Sequence, residues 1–121
     1  MADHKLLVSA EVFADFLVQA EILLDHDYKD AAAVVIRAVL EDSLRRVCDA
    51  NRLDSDKRDG VHQLAEKLFR ANVLTKVQFE LIEGMKEVGN AAAHGRFGDY
   101  TSDDVRRFHE FVLSLLATIL R

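Results

Sequence analysis

The sequence contains no proline and no tryptophan, and only five of its 121 residues are glycine. Because proline and glycine interrupt helices most strongly, their scarcity predicts long helices joined by short loops. The single cysteine, Cys48, excludes an internal disulfide and is expected to be a buried structural thiol in a reducing compartment. No apolar run is long enough for a membrane span or a signal-peptide core, so we expect a cytoplasmic protein.

The charge balance is acidic, with 21 Asp and Glu residues against 16 Lys and Arg residues and a net charge of −5. A protein that coats nucleic acid without sequence preference would normally carry a basic surplus.

The five histidines lie at positions 4, 26, 62, 94 and 109, and no two of them have helical metal-ligand spacing. Glycine-rich phosphate-binding motifs are also missing. We therefore expect neither a metal nor a cofactor.

Apolar periodicity predicts five helices and no strand, at about 9–24, 28–51, 61–72, 76–94 and from 101 to the end. Ser9, Thr75 and Thr101 are the expected N-caps of the first, fourth and fifth helices. Short loops between long helices favour antiparallel neighbours. The prediction is an all-α, up-and-down helical bundle that forms a single domain over residues 1–121.

The first helix has an apolar stripe formed by Val12, Phe13, Phe16, Leu17, Ala20 and Leu24, and apolar surface on the first or last helix would serve a dimer. The second helix is apolar from Ala31 to Leu40 except at Arg37, so both of its sides should be covered by neighbours. Glu41, one turn further on, is the natural partner of Arg37. Two interpretations stay open: an ion pair that fixes packing, or an arginine directed at the fourth helix.

The fourth helix carries the residues that are hardest to replace. Its expected buried face consists of Val77, Leu81, Met85, Val88 and Ala92, whereas Lys86, Asn90 and His94 recur every four residues on another face. A glycine inside a helix is costly, so Gly89 predicts a close packing contact. Gly95 is expected just past the helix end, which places His94 in the last turn. His62 is expected to be exposed or capping, and His109 to lie on the surface.

Asn90 and His94 form the best candidate for a catalytic pair. A histidine serves as general acid or base, and an amide together with a cation can hold a phosphate. Such a set suits metal-independent RNA cleavage, in which a 2′-hydroxyl attacks the adjacent phosphate. The structural alternative is that both side chains tie the helix end to the following loop and to the central helix.

The run from Gly89 to Gly95, preceded by Lys86 and followed by an amphipathic helix with acidic residues at its start, resembles the C-terminal half of HEPN-type domains (higher eukaryotes and prokaryotes nucleotide-binding). The stretch 31–41 resembles the central helix of the branch of uncharacterised function that occurs alone or attached to bacterial restriction and defence proteins. The resemblance implies a helical bundle that pairs into a homodimer, with the motif residues near the dimer cleft.

Active HEPN ribonucleases carry an Arg-Asn-x-x-x-His pattern, and Asn90 and His94 match its Asn and His. Gly89 occupies the arginine position and supplies no charge. A cation could come from Arg37 or Lys86, and the candidate ligand-binding residues are Arg37, Glu41, Lys86 and Arg96. The departure at Gly89 favours a degenerate, non-catalytic domain over a nuclease.

Three hypotheses follow for the function. The favoured one is a dimeric HEPN-like module that binds a protein partner or an RNA or nucleotide ligand in a defence or nucleic-acid-processing system. The second is a metal-independent endoribonuclease that uses His94 and Asn90. The third is a regulatory or neutralising partner of an enzyme encoded nearby.

Overall fold

The computed structural model describes residues 4–120 and, of the side chains, those of residues 9–120. Over this range the chain is all-α and has no strand, as predicted. The elements are α1 (His4–Asp25), α2 (Lys29–Ala50), α3 (Val61–Arg70), α4 (Lys76–Ala93), a short 3-10 helix (Phe97–Asp99) and α5 (Ser102–Ile119).

Helix α2 lies at the centre of the bundle and packs against α1, α3, α4 and α5. The connector 26–28 is short, so α1 and α2 form an antiparallel pair. Helices α2 and α4 also run antiparallel, because Lys29 at the start of α2 binds the carbonyl of Phe97 beyond the end of α4. Cys48 is fully buried near the end of α2, as the sequence predicts.

The N-caps predicted at Thr75 and Thr101 are confirmed, and in the structure each is part of a reciprocal capping box. At α4, the backbone N–H of Gln78 donates to Thr75 Oγ1 over 3.1 Å, and the backbone N–H of Thr75 donates to the side-chain Oε1 of Gln78 over 2.8 Å. At α5, Thr101 and Asp104 make the same reciprocal pair at 3.1 and 2.8 Å. Each box satisfies two amides that have no partner within the helix.

The predicted start of α1 was wrong. Ser9 is not its N-cap, because the helix already begins at His4 and Ser9 is a buried residue inside it. Within the predicted apolar stripe, Val12 and Phe16 are 46% and 44% exposed. The neighbours α2 and α5 cover only a narrow arc of α1. The residues buried in that arc are Phe13, Leu17, Ala20 and Leu24.

Burial in α4 and α5 also differs from the prediction. Val77 and Leu81 are exposed, because α4 turns the face of Ile82 and Gly89 toward its neighbours instead. His109 is 6% exposed and not on the surface, and its Nε2–H donates to the Leu17 carbonyl of α1 over 2.7 Å. A buried polar group requires such a partner, and the partner comes from an element distant in sequence.

We expect the two capping threonines to stabilise the fold measurably. Thr75→Ala and Thr101→Ala should each lower the free energy of unfolding by about 1 kcal/mol, because each removes a side-chain acceptor from a helix start. Urea unfolding followed by circular dichroism measures this change. Ser114→Ala, on the exposed face of α5, is the control and should have almost no effect. Equal stability of all four proteins would contradict the capping role.

Candidate functional site

The end of α4 is built by the local sequence 91–96. Gly95 adopts a φ of 73°, which is inexpensive for glycine. This turn lets the Arg96 amide donate to the Ala91 carbonyl over 2.8 Å and the Gly95 amide to the Ala92 carbonyl over 3.2 Å. The two bonds define a Schellman motif. The predicted glycine stop is therefore confirmed, and His94 is the C-cap residue, one position beyond the last turn in which it was expected.

Gly89 lies in close contact with Arg37, as its position inside a helix predicts. A Cβ atom at position 89 would lie 3.1 Å from Arg37 Cγ and 3.4 Å from both Cβ and Cδ of that side chain. The aliphatic part of Arg37 thus fills the space into which a side chain at position 89 would project. This contact joins the middle of α2 to the last part of α4.

The charged end of Arg37 pairs with Glu41, with 3.4 Å between Nη1 and Oε2, so the predicted ion pair is confirmed. Glu41 lies near Gly60 at the start of α3, whereas the start of α2 lies beside the end of α4. The guanidinium is therefore directed along α2 away from the end that carries His94. Arg37 Nε is buried and has no hydrogen-bond partner within the described chain, which adds a desolvation cost to this arrangement.

Lys86 belongs to a separate cluster between α3 and α4. Its Nζ lies 2.6 Å from Glu83 Oε2, and the other oxygen of Glu83 accepts from His62 Nδ1. His62 Nε2 lies 3.2 Å from Glu66. The His62 side chain thus lies between two carboxylates and keeps 43% of its surface exposed, and it does not cap the helix.

Asn90 faces an open groove of about 560 Å³ between the end of α4, the 3-10 helix and the start of α5. Its charged lining residues are Glu87, Arg96, Asp99 and Asp104, which amount to three carboxylates and one guanidinium. Arg96 Nε lies 3.2 Å from Asp99 Oδ2, so its charge is largely neutralised at close range. Asp104 is also paired, with 2.6 Å between its Oδ1 and Arg107 Nη2, so Glu87 is the one lining carboxylate without an ion pair in the described part of the chain.

The loop that forms one wall of this groove is fixed to the start of α2. The buried Tyr100 hydroxyl donates to Asp30 Oδ1 over 2.8 Å, and Lys29 Nζ lies 4.1 Å from the centre of the Tyr100 ring. Burial and the hydrogen bond to Asp30 raise the pKa of Tyr100. The hydrogen bonds from Lys29 and Tyr100 to Asp30 lower the pKa of that carboxyl despite its partial burial.

The structure does not bring all the predicted site residues together. Asn90 and Arg96 line one groove, Arg37 and Glu41 lie on the α2 side of Gly89, and Lys86 pairs within the α3–α4 cluster. The His94 side chain is exposed, and no hydrogen bond to it occurs within residues 4–120.

Sequence reasoning missed the acidic groove residues Glu87, Asp99 and Asp104. Glu87 was detectable in principle, because it precedes Asn90 by three positions and shares its side of α4. The approach of Asp99 and Asp104 depends on how the loop folds back, and no local pattern encodes that.

The comparisons with known proteins identify a family without a known function. Residues 18–120 match the family described as a domain of unknown function (DUF4145), and the chain belongs to this family. No curated protein and no solved structure matches the chain. Within the described range, no group of three or more His, Cys, Asp or Glu side chains is placed to hold a metal. None of the helices described is both long enough and apolar enough to cross a membrane.

The contact between Arg37 and Gly89 predicts different effects of alanine at two glycines of α4. Gly84 has no atom within 4 Å of its added Cβ, so Gly84→Ala should stabilise the protein by about 1 kcal/mol through helix propensity. Gly89→Ala should stabilise the protein clearly less, because the Arg37 side chain must move to make room for the added methyl group. Chemical denaturation of both variants, repeated with Arg37→Ala, tests the cause. If Gly84→Ala and Gly89→Ala differed by the same amount in the Arg37→Ala protein, the contact between Arg37 and Gly89 could not be the reason for the difference.

The Glu83 cluster predicts a loss of stability in acid. Burial alone would raise the pKa of Glu83, but hydrogen bonds from Lys86 and His62 outweigh it and hold the pKa below the ordinary value of 4.5. The unfolded chain therefore binds this proton first as the pH falls. The corresponding stability is present above pH 4.5 and disappears as the pH falls through the lowered pKa.

The effect is tested by comparing the denaturation midpoints of the wild type and Glu83→Gln at several pH values from neutral to about pH 3. The advantage of the wild type should shrink toward the acidic end. Glu80→Gln, an exposed residue of the same helix, is the control. A constant difference between wild type and Glu83→Gln at every pH would contradict the prediction.

Proposed function

We propose that the protein is a non-catalytic, HEPN-like binding and regulatory module that acts as a homodimer in the cytoplasm, in a bacterial defence or nucleic-acid-processing system. The proposal rests on the resemblance of the stretches 31–41 and 86–96 to that superfamily. The five-helix arrangement is compatible with it.

The observation that carries the non-catalytic part is the electrostatic state of the groove at Asn90. Each cation considered for holding a phosphate is matched by a carboxylate: Arg37 by Glu41, Lys86 by Glu83, and Arg96 by Asp99. Of these cations only Arg96 lines the groove, so a phosphodiester there would have to displace Asp99 from Arg96 while also facing the carboxylate of Glu87. Local negative charge repels nucleic acid.

The packing of Gly89 supports the same conclusion. In a nuclease of the Arg-Asn-x-x-x-His type, position 89 would carry the arginine that accompanies Asn90 and His94. Here the aliphatic part of Arg37 occupies that space, while the guanidinium is directed toward Glu41. The cationic charge is thereby held away from the helix end with His94. The groove at Asn90, in which the Arg96 charge is already paired, favours a protein segment with amide or cationic groups over RNA.

One observation favours the second candidate, a metal-independent endoribonuclease. The imidazole of His94 is exposed and makes no hydrogen bond within residues 4–120, so it remains available as a general acid or base. Asn90 is one turn away and lines the groove. In this mechanism His94 would take the 2′-hydroxyl proton while Asn90 orients the phosphate.

The deciding experiment incubates a structured RNA of mixed sequence, in EDTA, with the wild type, His94→Ala and His26→Ala. His26 is another exposed histidine and serves as the matched control. We expect no cleavage that depends on His94, because Arg37, Lys86 and Arg96 are each paired with a carboxylate. Equal cutting by all three proteins would indicate a contaminant and agrees with this expectation. Cleavage by the wild type and His26→Ala, but not by His94→Ala, would establish the ribonuclease instead.

A further inference from the structure

Five ionisable side chains form a continuous series between α3 and α4. In order they are Arg70, Glu66, His62, Glu83 and Lys86, and each one contacts the next. His62 lies in the middle, with Nε2 3.2 Å from Glu66 of its own helix and Nδ1 2.5 Å from Glu83 of α4. The series therefore crosses from α3 to α4 at His62.

Each of the two carboxylates uses a different oxygen for each of its partners. Glu66 contacts His62 through Oε2 and Arg70 through Oε1, whereas Glu83 contacts His62 through Oε1 and Lys86 through Oε2. His62 therefore does not compete with the two permanent cations for an acceptor. When the imidazole is protonated, the charges alternate in sign along the whole series, and such a network stabilises a protein more than isolated surface pairs do.

Both ring nitrogens of His62 face carboxylate oxygens, and only one protonation state satisfies both contacts. A neutral imidazole has one N–H group and one lone pair, whereas the imidazolium has two N–H groups. Neutral His62 can thus donate to Glu66 or to Glu83, and its other nitrogen then faces an acceptor with no hydrogen between them. The complete bridge from α3 to α4 requires the charged ring.

The neighbouring elements add one more charged pair and one opposing effect. From α2, the carboxylate of Glu41, itself paired with Arg37, lies 4.0 Å from the position that a Cβ atom would take at Gly60, directly before α3. His62 is the second residue of α3, where the helix dipole disfavours a cation. The charged ring therefore depends on its two carboxylate partners.

We propose that His62 is a pH-sensitive bridge between α3 and α4. When it is protonated, it donates to Glu66 and to Glu83. After it loses one proton, one of these bonds is lost, while apolar contacts remain, such as the stack of Phe69 on Phe79 with 5.0 Å between the ring centres. Histidine changes its charge near neutral pH, so the bridge weakens as the pH rises through neutrality. The inference goes beyond the proposed function and does not depend on it.

The direction of this effect follows from proton linkage. In the unfolded chain the three side chains are apart, so folding strengthens the binding of the second proton to His62. The stability that the bridge supplies is complete on the acidic side of the histidine range and is lost as the pH rises through that range. Protonation of Glu83 in stronger acid removes an acceptor of the same bridge. Helices α3 and α4 are thus held together most firmly at about pH 5 to 6, between the two ranges.

Backbone hydrogen exchange of α3, followed by NMR at about pH 6 and about pH 8, tests the bridge. Protection factors correct for the pH dependence of exchange itself, and they are compared between the wild type and His62→Gln. The ratio of wild-type protection to His62→Gln protection should be about two- to fivefold larger at the lower pH, as expected for a partly exposed ion pair. Glutamine is neutral at both pH values and cannot reproduce this change.

The matched control repeats the comparison in a protein that carries both Glu66→Gln and Glu83→Gln. Without the two carboxylates, His62→Gln should have the same effect at both pH values. The ring ¹⁵N chemical shifts of His62 supply a second measurement, because they distinguish a protonated nitrogen from a bare one. At about pH 6, both nitrogens should be protonated in the wild type.

Three results would contradict the bridge. Equal protection ratios at the two pH values would overturn it, provided that circular dichroism shows every variant to be folded. A pH-dependent ratio that persists without the carboxylates would overturn it as well, because His62 would then act through other groups. A bare ring nitrogen in the wild type at the lower pH would exclude the double donor.

Discussion

The arrangement of the bundle depends on the burial of α2 by the four other helices. One helix can contact four neighbours only where its side chains are small or well matched, and the alanine-rich first half of α2 meets this condition. Arg37 is the exception within that half. It is accommodated because Gly89 leaves room for its aliphatic part and because Glu41 neutralises its charge. The central helix therefore tolerates a cation through two separate adjustments, one steric and one electrostatic.

Features set by neighbouring residues were predictable from the sequence. The N-caps Thr75 and Thr101 and the helix stop at Gly95 depend on groups within a few residues, and all three predictions are confirmed. Helix count and approximate bounds follow from the same local patterns. Ser9 failed as a cap because an apolar run upstream continues the helix, and a capping residue carries no information about whether the helix has already begun.

Features set by distant contacts were less predictable. Periodicity shows that Val12, Phe16 and Leu81 belong to apolar stripes, but not which part of each stripe faces the core. His109 is buried because a main-chain carbonyl of α1 is within reach, and that proximity exists only after folding. The candidate site likewise combines features that the local sequence sets with features that distant contacts set. The sequence identifies Asn90, His94 and the unusual Gly89, whereas the pairing of each cation and the acidic groove emerge from the fold.

The contact between Arg37 and Gly89 restricts the order in which this chain can acquire substitutions. A long side chain at position 89 has no space until residue 37 has been shortened, yet shortening residue 37 leaves the Glu41 carboxylate without its partner. An arginine at position 89 therefore needs a second change at residue 37, and that change removes the ion pair with Glu41. Residues 37 and 89 therefore constrain each other across the two helices, although they are 52 positions apart in the sequence.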